Sequence, residues 1–491
     1  MHRNVKKLFY QLHGWLGLNF GLVLFIICLS GTFAVVSHEI DWLCNPAIRV
    51  TPNEERASWA TMFEAAGEYA DGSFIRSGYA PKGSRFAAEF LTKDKRGNTR
   101  RIYIDPYRGT ATGDATWMNS QRFFRDFHRR FYISAGWGIW VVSVYAFVLS
   151  LAGITGLSFY GRWWKQLWGL RFRSGWRVFF SDLHRKLGVW TLLFSLIISV
   201  TGFWYLFEKT LTNRYRAIQR ADNSARTQSE ESSDRPVITP NGQRLPVDEL
   251  LDHAERAMPG FRVTTISMPS SEKRPVRFSG QATAWLVRQR SNWLELDPYT
   301  GTLIGMQRAE ELPAFERLTH TADPLHFGNF AGLTSKLIWF AFGLLLSALI
   351  PTGVYLWVKR RSSRLLQVVR KRGCSSLEML TEIHLAVRRQ YWAGMISTVV
   401  IFGLAVSSTW EALKKQYYSL DREGSLAGMG EPGVIVIYGS FMVFILFASW
   451  LWFRWIWMPS PFELVAQSAI PDQPAAADGG GEGGENLQRI E

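Results

Sequence analysis

The chain contains 491 residues, 47% of them hydrophobic, and carries a formal net charge of +15 at pH 7. Such a basic chain can bind nucleic acid, but this one has no recognised nucleic-acid-binding motif. Its basic residues cluster beside apolar stretches, as they do in membrane proteins. The composition therefore predicts a membrane protein that contacts lipid and has no nucleic-acid partner.

Six apolar stretches are long enough to cross a membrane, because a spanning helix needs about 20 mostly apolar residues. They lie at about 16–36, 137–159, 187–207, 336–357, 392–412 and 434–457. The first stretch has no small-residue cleavage site, so it is interpreted as a retained helix rather than a signal peptide. The predicted fold is an all-α membrane bundle of about six transmembrane helices.

Basic residues identify the inner side of this bundle. They are dense at residues 3–7 and in the loops at 161–186 and 359–391. With six spans these segments share one side, which the positive-inside rule makes cytoplasmic. Both termini are then cytoplasmic, including a tail at 459–491 that is predicted to be disordered, and 413–433 is a short outer loop.

Two long segments, about 38–135 and 208–335, lie outside and repeat one another. Each contains an alternating strand that ends in Asp-Pro-Tyr-x-Gly, at Arg101–Gly109 and Trp293–Gly301. Proline presets φ and glycine accepts φ > 0, so this motif predicts a turn. A helix is predicted upstream of each strand, at Trp59–Tyr69 and Val247–Met258. The segments are therefore expected to form two small α+β domains.

The unit of helix, outer domain and helix thus occurs twice, with its two halves parallel. Internal duplication commonly places a functional centre between the halves. The last two spans resemble a partial third unit, because Glu382-Ile383-His384-Leu385 is similar to the openings of the first and third spans.

Histidines stand at the ends of the apolar stretches. His13 opens the first stretch and His184 the third, while His128 and His326 precede the second and fourth. Ionisable side chains at a membrane boundary are costly and usually functional, and neutral imidazole binds iron well. The pattern points to a metal or haem held inside the bundle.

The chain resembles the PepSY-associated transmembrane family, whose members include iron-regulated inner-membrane proteins and ferric-siderophore reductases. The resemblance covers roughly residues 1–412 and rests on three motifs and the outer Asp-Pro-x-x-Gly repeats. The motifs are Leu12-His13-Gly14-Trp15-Leu16-Gly17, Leu29-Ser30-Gly31 and Glu39-Ile40-Asp41. It implies PepSY-like periplasmic domains and an inner-membrane haem protein that passes electrons outward to a ferric siderophore or similar ferric chelate.

Helix geometry suggests how the inner histidines pair. Gly17 and Gly21 lie at i+4 and i+8 from His13, and Gly188 lies at i+4 from His184, so no side chain blocks a porphyrin beneath either ring. We expect His13 and His184 to be the axial ligands of an inner haem. The alternative is that both are interfacial polar residues and the glycines serve close helix contact.

For an outer haem, equivalence between the repeats favours His128 and His326. His38 is an alternative, because it lies nearly seven turns after His13 and so falls on almost the same helix face. His320 is also near the outer end.

A third position, His384, aligns with the two inner histidines but carries Arg388 at i+4. It is either a structural histidine, or Arg388 neutralises a haem propionate. No Cys-x-x-Cys-His motif is present, so the sequence predicts non-covalent haem b, with two groups per chain. Cys28, Cys44 and Cys374 fall in different compartments, which argues against a disulfide, zinc site or iron–sulfur cluster.

No Gly-x-Gly-x-x-Gly follows a strand, so electrons are expected from a cytoplasmic donor or from quinol. A basic segment with one aromatic residue could attract an anionic chelate, although a solvated strand face would look the same. Its residues are Arg262, Lys273, Arg274, Arg277, Trp285, Arg288 and Arg290. Two other functions remain open, a non-enzymatic membrane-anchored binding or regulatory protein and a permease, and an optical spectrum separates them from a haem protein.

Overall fold

The computed structural model describes residues 3–93, 99–133, 137–160, 168–226, 238–240, 242–372, 392, 394–396, 398–411 and 432–456. It combines a bundle of long helices with an antiparallel β-sheet. The helices are α1 (Arg3–Val35), α2 (Ser37–Cys44), α3 (Trp59–Tyr69), α4 (Ser120–Arg130), α5 (Trp137–Phe159), α6 (Trp176–Trp190), α7 (Leu192–Arg226), α8 (Val247–Ala257), α9 (Ala314–Phe327), α10 (Gly332–Arg372), α11 (Gly394–Glu411) and α12 (Pro432–Ile456).

Within the described ranges, six helices are long and apolar enough to cross a membrane: α1, α5, α7, α10, α11 and α12. The sequence predicts the same number. The third span differs from its prediction, because α6 ends at Trp190 and the span begins at Leu192. At the break, the Thr191 hydroxyl donates to the Leu187 carbonyl at 2.7 Å, a back-bond that often bends helices. His184 therefore lies on a helix that precedes the span.

Helix α1 lies at the centre of the bundle, packed against α5 and α10. It is apolar nearly all round, which suits a helix covered by neighbours on several sides. Aromatic side chains join α4 to α12: Phe123 stacks on Tyr438 with ring centroids 4.2 Å apart, and Phe127 meets Phe441 edge-on at 5.5 Å. The sixth span thus packs against the first half of the duplicated unit.

The strands form a single eight-stranded sheet in the order β4-β3-β2-β1-β5-β6-β7-β8, with every neighbouring pair antiparallel. They are β1 (Ile75–Tyr79), β2 (Ala88–Lys93), β3 (Thr99–Ile104), β4 (Ala111–Thr116), β5 (Arg262–Ser267), β6 (Val276–Gln281), β7 (Asn292–Leu296) and β8 (Leu303–Gln307). Ser77 of β1 lies opposite Ser267 of β5 at the centre. The two predicted small domains therefore share one sheet, which leaves neither β1 nor β5 as an unpaired edge.

Each half covers its four strands with one helix. Helix α3 packs over Phe90 and Ile102, and α8 packs over Phe278 and Leu294. Trp59 of α3 packs against both clusters, so the two cores meet beneath the β1–β5 pair.

The predicted Asp-Pro turns are confirmed in both halves. The carboxylates of Asp105 and Asp297 each accept a hydrogen bond, at 2.8 Å, from the backbone N–H two residues further on. Gly109 and Gly301 have φ values of 67° and 68°, the left-handed region that favours glycine. The repeat in sequence is therefore a repeat in backbone geometry.

Candidate functional site

Two histidine rings meet at one end of the bundle. The ring centroids of His13, on α1, and His184, on α6, are 6.2 Å apart, and the ring planes are inclined by 72°. His13 Nδ1 is bonded to the Ala152 carbonyl of α5, and His184 Nδ1 to the Leu349 carbonyl of α10, both at 3.0 Å. Two helices from each half thus converge on the histidines that the sequence pairs as inner ligands.

A second pair of histidine rings lies at the other end. His128, on α4, and His326, on α9, have ring centroids 6.1 Å apart and planes inclined by 39°. His128 Nδ1 is bonded to the Ile27 carbonyl of α1 at 3.0 Å, and His326 Nδ1 to the Thr201 hydroxyl of α7 at 2.8 Å. These are the residues that the sequence proposes as outer ligands, brought together from the two halves.

A Ser/Thr-Gly step on each of the first four spans accompanies these rings. The steps are Ser30-Gly31 beside His128, Thr155-Gly156 beside His13, Thr201-Gly202 beside His326 and Thr352-Gly353 beside His184. A Cβ atom on Gly31 would lie 2.7 Å from His128 Cε1, and one on Gly353 would lie 2.9 Å from His184 Cε1. Sequence reasoning missed these contacts, although the recurrence of Ser/Thr-Gly once per span was a usable signal.

The hydrogen bonds decide which ring nitrogen is available to a metal. A carbonyl only accepts, so Nδ1 of His13, His128 and His184 donates and carries the hydrogen. The Thr201 hydroxyl donates to a carbonyl of its own helix at 2.6 Å, so it accepts from His326 Nδ1. Burial lowers the pKa of His128 to about 4 and that of His326 to about 3. These neutral rings would bind a metal through the lone pair of Nε2.

The ring separations fit one iron atom between each pair. If each Nε2 lies about 2.0 Å from the metal, with its ring centre about 1.1 Å behind, opposing ring centres are about 6.2 Å apart. The observed values are 6.2 and 6.1 Å. Across the residues that the structure describes, no group of three or more His, Cys, Asp or Glu side chains could hold a metal ion. Two axial imidazoles suffice for haem, whose porphyrin supplies the other ligands, but not for a zinc site.

The glycines of α1 near His13 show where a flat prosthetic group could fit. Space is open at two of them and filled at the third. A Cβ atom on Gly14 or Gly17 would meet no other atom within 4 Å. A Cβ atom on Gly21 would lie 2.7 Å from the Trp452 ring of α12. The expectation that Gly21 belongs to the haem face is therefore wrong, because the sixth span packs there.

Helix α1 also gives the distance between the two pairs. His13 belongs to the inner pair, while Ile27 and Gly31 contact His128 of the outer pair. The separation of 14 to 18 residues corresponds to about 21–27 Å at about 1.5 Å per residue. This is close to the thickness of about 30 Å of the hydrocarbon core. The pairs thus lie near opposite ends of the bundle.

A buried ionic network borders the outer pair. The Arg288 guanidinium contacts Glu208 at 2.7 Å and Asp323 at 2.8 Å. The Tyr205 hydroxyl donates to Asp323 at 2.8 Å, and the Tyr205 ring lies 5.2 Å from that of His326. Helices α7 and α9 are therefore tied together beside His326.

The remaining histidine candidates lie elsewhere. His38 is on α2, beyond a break at Val36, so it does not continue the face of α1 as the sequence reasoning assumed. His320 Nδ1 is hydrogen-bonded to the Ser291 hydroxyl at 2.6 Å. His384 and Arg388 lie outside the described residues.

The basic segment expected to attract an anionic chelate is divided by the fold. Arg288 is buried in the network described above, with 9% of its side chain exposed. Arg277 pairs with Glu295 at 3.2 Å and lies over the Trp293 ring. Both charges are neutralised locally, whereas Arg262, Lys273, Arg274, Arg290 and Trp285 are exposed.

Comparison with known proteins agrees with this architecture. The family model of the PepSY-associated TM region matches residues 10–360. The chain belongs to the PepSY-associated TM family. All four paired histidines of this PepSY-associated TM protein fall within the matched range, and it is a multi-pass membrane protein by its helices and its family.

A relative of this PepSY-associated TM protein occurs in Pseudomonas aeruginosa, where it bears the name of an uncharacterized protein. The two are 26% identical over an alignment of 259 residues, and the alignment covers 48% of the present chain. The chain spans 64% of the length of that relative.

Proposed function

We propose that this PepSY-associated TM protein is a haem-containing oxidoreductase that passes electrons across the bacterial inner membrane to a ferric siderophore or similar ferric chelate. The observation that supports this most strongly is the presence of two histidine pairs, 6.2 and 6.1 Å between ring centroids, near opposite faces of one bundle. Each pair would hold the iron of one haem through its two imidazoles. Two haem b groups per chain, bound without covalent attachment, account for both pairs.

Each part of the chain has a role in this proposal. The four histidines would bind and orient the prosthetic groups. Gly31, Gly156 and Gly353 make room for three of the rings, and backbone carbonyls such as those of Ile27 and Leu349 fix the tautomers. Haem bound at the two pairs would supply one-electron redox centres on the two sides of the membrane. The apolar bundle between the pairs excludes water and ions.

Electron flow is assigned an outward direction. The basic loops at 161–186 and 359–391 support a cytoplasmic position for the inner pair, where quinol or a cytoplasmic protein would donate electrons. The outer pair then lies on the periplasmic side, near the sheet. One electron converts iron(III) to iron(II) without making or breaking a covalent bond, and the iron(II) leaves because siderophores bind it far less tightly.

Anaerobic reoxidation tests the proposal. Purified protein is reduced with dithionite, freed of excess reductant and mixed with a ferric siderophore in the presence of a ferrous trap. The haem bands should become oxidised while the trap captures one iron(II) per electron. His128→Ala or His326→Ala should abolish this step, whereas His253→Ala, on α8 of the sheet region, should not.

Two results would contradict the proposal. Reoxidation at the unchanged rate in both outer variants would refute the assignment of the outer pair. A colourless purified protein would favour the binding or regulatory alternative.

A further inference from the structure

Three cations lie together on the outer side of the outer histidine pair. Arg122 and Arg125 are on α4, and Lys82 is in the connection between β1 and β2. Arg125 precedes His128 by three residues, one turn of α4. Its guanidinium lies 6.0 Å from the ring of Phe327, the neighbour of His326. Arg125 therefore stands between the two helices that carry the outer pair.

These cations have no acidic partner in the described structure. The Nε atoms of Arg122 and Arg125 are buried and have no hydrogen-bond partner there. The Arg122 guanidinium lies over the Trp117 ring at 3.8 Å. Lys82, Arg122 and Arg125 form no salt bridge among the described residues, all of whose ion pairs involve other cations. A cation withdrawn from water without a counter-charge is costly, so a ligand that supplies one binds tightly.

The nearby carboxylates are already paired. The pairs are Glu89 with Arg101, Glu39 with Lys336 at 2.7 Å, Asp126 with Arg130 at 3.1 Å and Asp323 with Arg288 at 2.8 Å. Each acid thus neutralises a cation outside the group of three. Lys82, Arg122 and Arg125 keep an excess of positive charge.

Charge interactions link Lys82 to Arg125. Desolvation lowers the pKa of Lys82, Glu89 opposes this, and Lys336 and Arg125 lower the pKa further. His38 is influenced by these cations as well, since its pKa is lowered first by burial and then by Lys82. We call the group formed by Lys82, Arg122 and Arg125 the basic recess.

The two duplicated halves carry opposite charges next to the outer histidines. The positive charge in the first half is therefore not a feature that the repeat itself requires. Three residues before the outer histidine, the first half has Arg125 and the second half has Asp323. Asp323 is engaged by Arg288 and Tyr205. Positive charge is therefore concentrated on the side of the first half.

We propose that the basic recess binds the anionic oxygen atoms of the ferric chelate, so that the preferred substrates are negatively charged catecholate or carboxylate chelates rather than neutral or cationic hydroxamates. This inference rests on the proposed function, because it places the substrate beside the outer pair. Arginine presents a planar fork of donors to paired oxygen atoms, and lysine adds a compact charge. A chelate held by Arg125 lies one helical turn from His128.

A redox-inert analogue tests binding separately from electron transfer. Gallium tris-catecholate is a trianion of the same shape as the ferric complex, and its affinity for the haem-loaded protein in a non-ionic detergent is measured by calorimetry. Arg125→Gln and Lys82→Gln should each weaken it by about tenfold, the effect of losing one charge-assisted hydrogen bond. Lys93→Gln, an exposed cation at the end of β2 far from Lys82, should leave the affinity unchanged.

Two further measurements distinguish recognition of the chelate's charge from recognition of its shape. Arg125→Lys keeps the charge and should retain most of the affinity. A neutral gallium tris-hydroxamate should bind at least about tenfold more weakly than the trianion and should not respond to Arg125→Gln. Haem per chain and thermal unfolding are measured on each sample, so a misfolded variant is recognised, and Lys82→Gln then supplies the test.

Several outcomes would overturn the docking site. Equal affinity of the trianion for the unmodified protein and both Gln variants would do so. Loss of outer haem in Arg125→Gln with unchanged gallium affinity would assign the cations to a haem propionate instead. Reduction of a neutral ferric hydroxamate by a protein that does not bind the trianion would refute the recess and leave the proposed function intact, whereas absence of haem or of all ferric reduction would refute the proposed function.

Discussion

The substitution Gly31→Ala places a methyl group against the outer histidine. The added Cβ atom would lie 2.7 Å from Cε1 and 2.9 Å from Nδ1 of His128. Carbon atoms pack without repulsion at about 3.5–4.0 Å, so the ring must move by roughly 0.8 Å. The hydrogen bond from His128 Nδ1 to the Ile27 carbonyl, now 3.0 Å, is then stretched or lost.

The magnitude follows from these two effects. Overpacking in a tightly packed site costs about 1–3 kcal/mol. A buried imidazole N–H that loses its acceptor costs about 1–3 kcal/mol more. We therefore expect the outer haem to bind at least about thirtyfold more weakly, the equivalent of about 2 kcal/mol.

Haem transfer to excess apomyoglobin is the assay. Gly31→Ala should lose one of two haems rapidly and keep the other at the unmodified rate. Gly439→Ala is the matched control, because a Cβ atom at that position of α12 meets nothing within 4 Å. Equal transfer kinetics in Gly31→Ala and the unmodified protein would refute the role of Ser30-Gly31 in seating His128.

Three further substitutions, two of them with a matched control, extend the test. Thr201→Val removes the only hydrogen-bond acceptor that the described structure gives His326 Nδ1, and it should weaken outer-haem binding by about tenfold or more. Thr352→Val leaves His184 Nδ1 bonded to the Leu349 carbonyl and should change inner-haem binding less. Haem-transfer kinetics measure both effects. Gly21→Ala should lower the thermal unfolding temperature, because the added methyl group clashes with Trp452 of α12, and both haems should remain. Loss of the inner haem would instead support the sequence-based prediction that Gly21 lies beneath the porphyrin. Arg288→Met leaves the carboxylates of Glu208 and Asp323 without their cation and should lower the free energy of unfolding by about 3–5 kcal/mol. Arg277→Met, which breaks a more exposed pair, should lower it by less than about 1 kcal/mol. Equal unfolding temperatures of the two variants would contradict the network.

Local sequence patterns predict much of this molecule because they report local physics. The six spans follow from the length of apolar stretches, and the Asp-Pro turns follow from the φ preferences of proline and glycine. The histidine partners follow from the repeat: equivalent positions in two parallel halves meet across the pseudo-symmetry axis. That inference placed His128 with His326 although 198 residues separate them.

The features that sequence reasoning missed depend on contacts between distant segments. Pairing of Ser77 with Ser267 merges two predicted domains into one sheet, and no local pattern encodes this choice of partner. Gly21 looks like a haem-face glycine until α12 is in place to cover it. The break at Thr191 lies inside an apolar run, where a single back-bonding hydroxyl leaves little trace in hydropathy.

The central claim is that each histidine pair holds one haem. Haem per chain, measured as the pyridine haemochrome in the unmodified protein and in His13→Ala, His184→Ala, His128→Ala and His326→Ala, tests it most directly. We predict two haems in the unmodified protein and one in each variant, with the same haem lost from both members of a pair by low-temperature electron paramagnetic resonance. Absence of haem, or loss of different haems from the two members of one pair, would contradict the account.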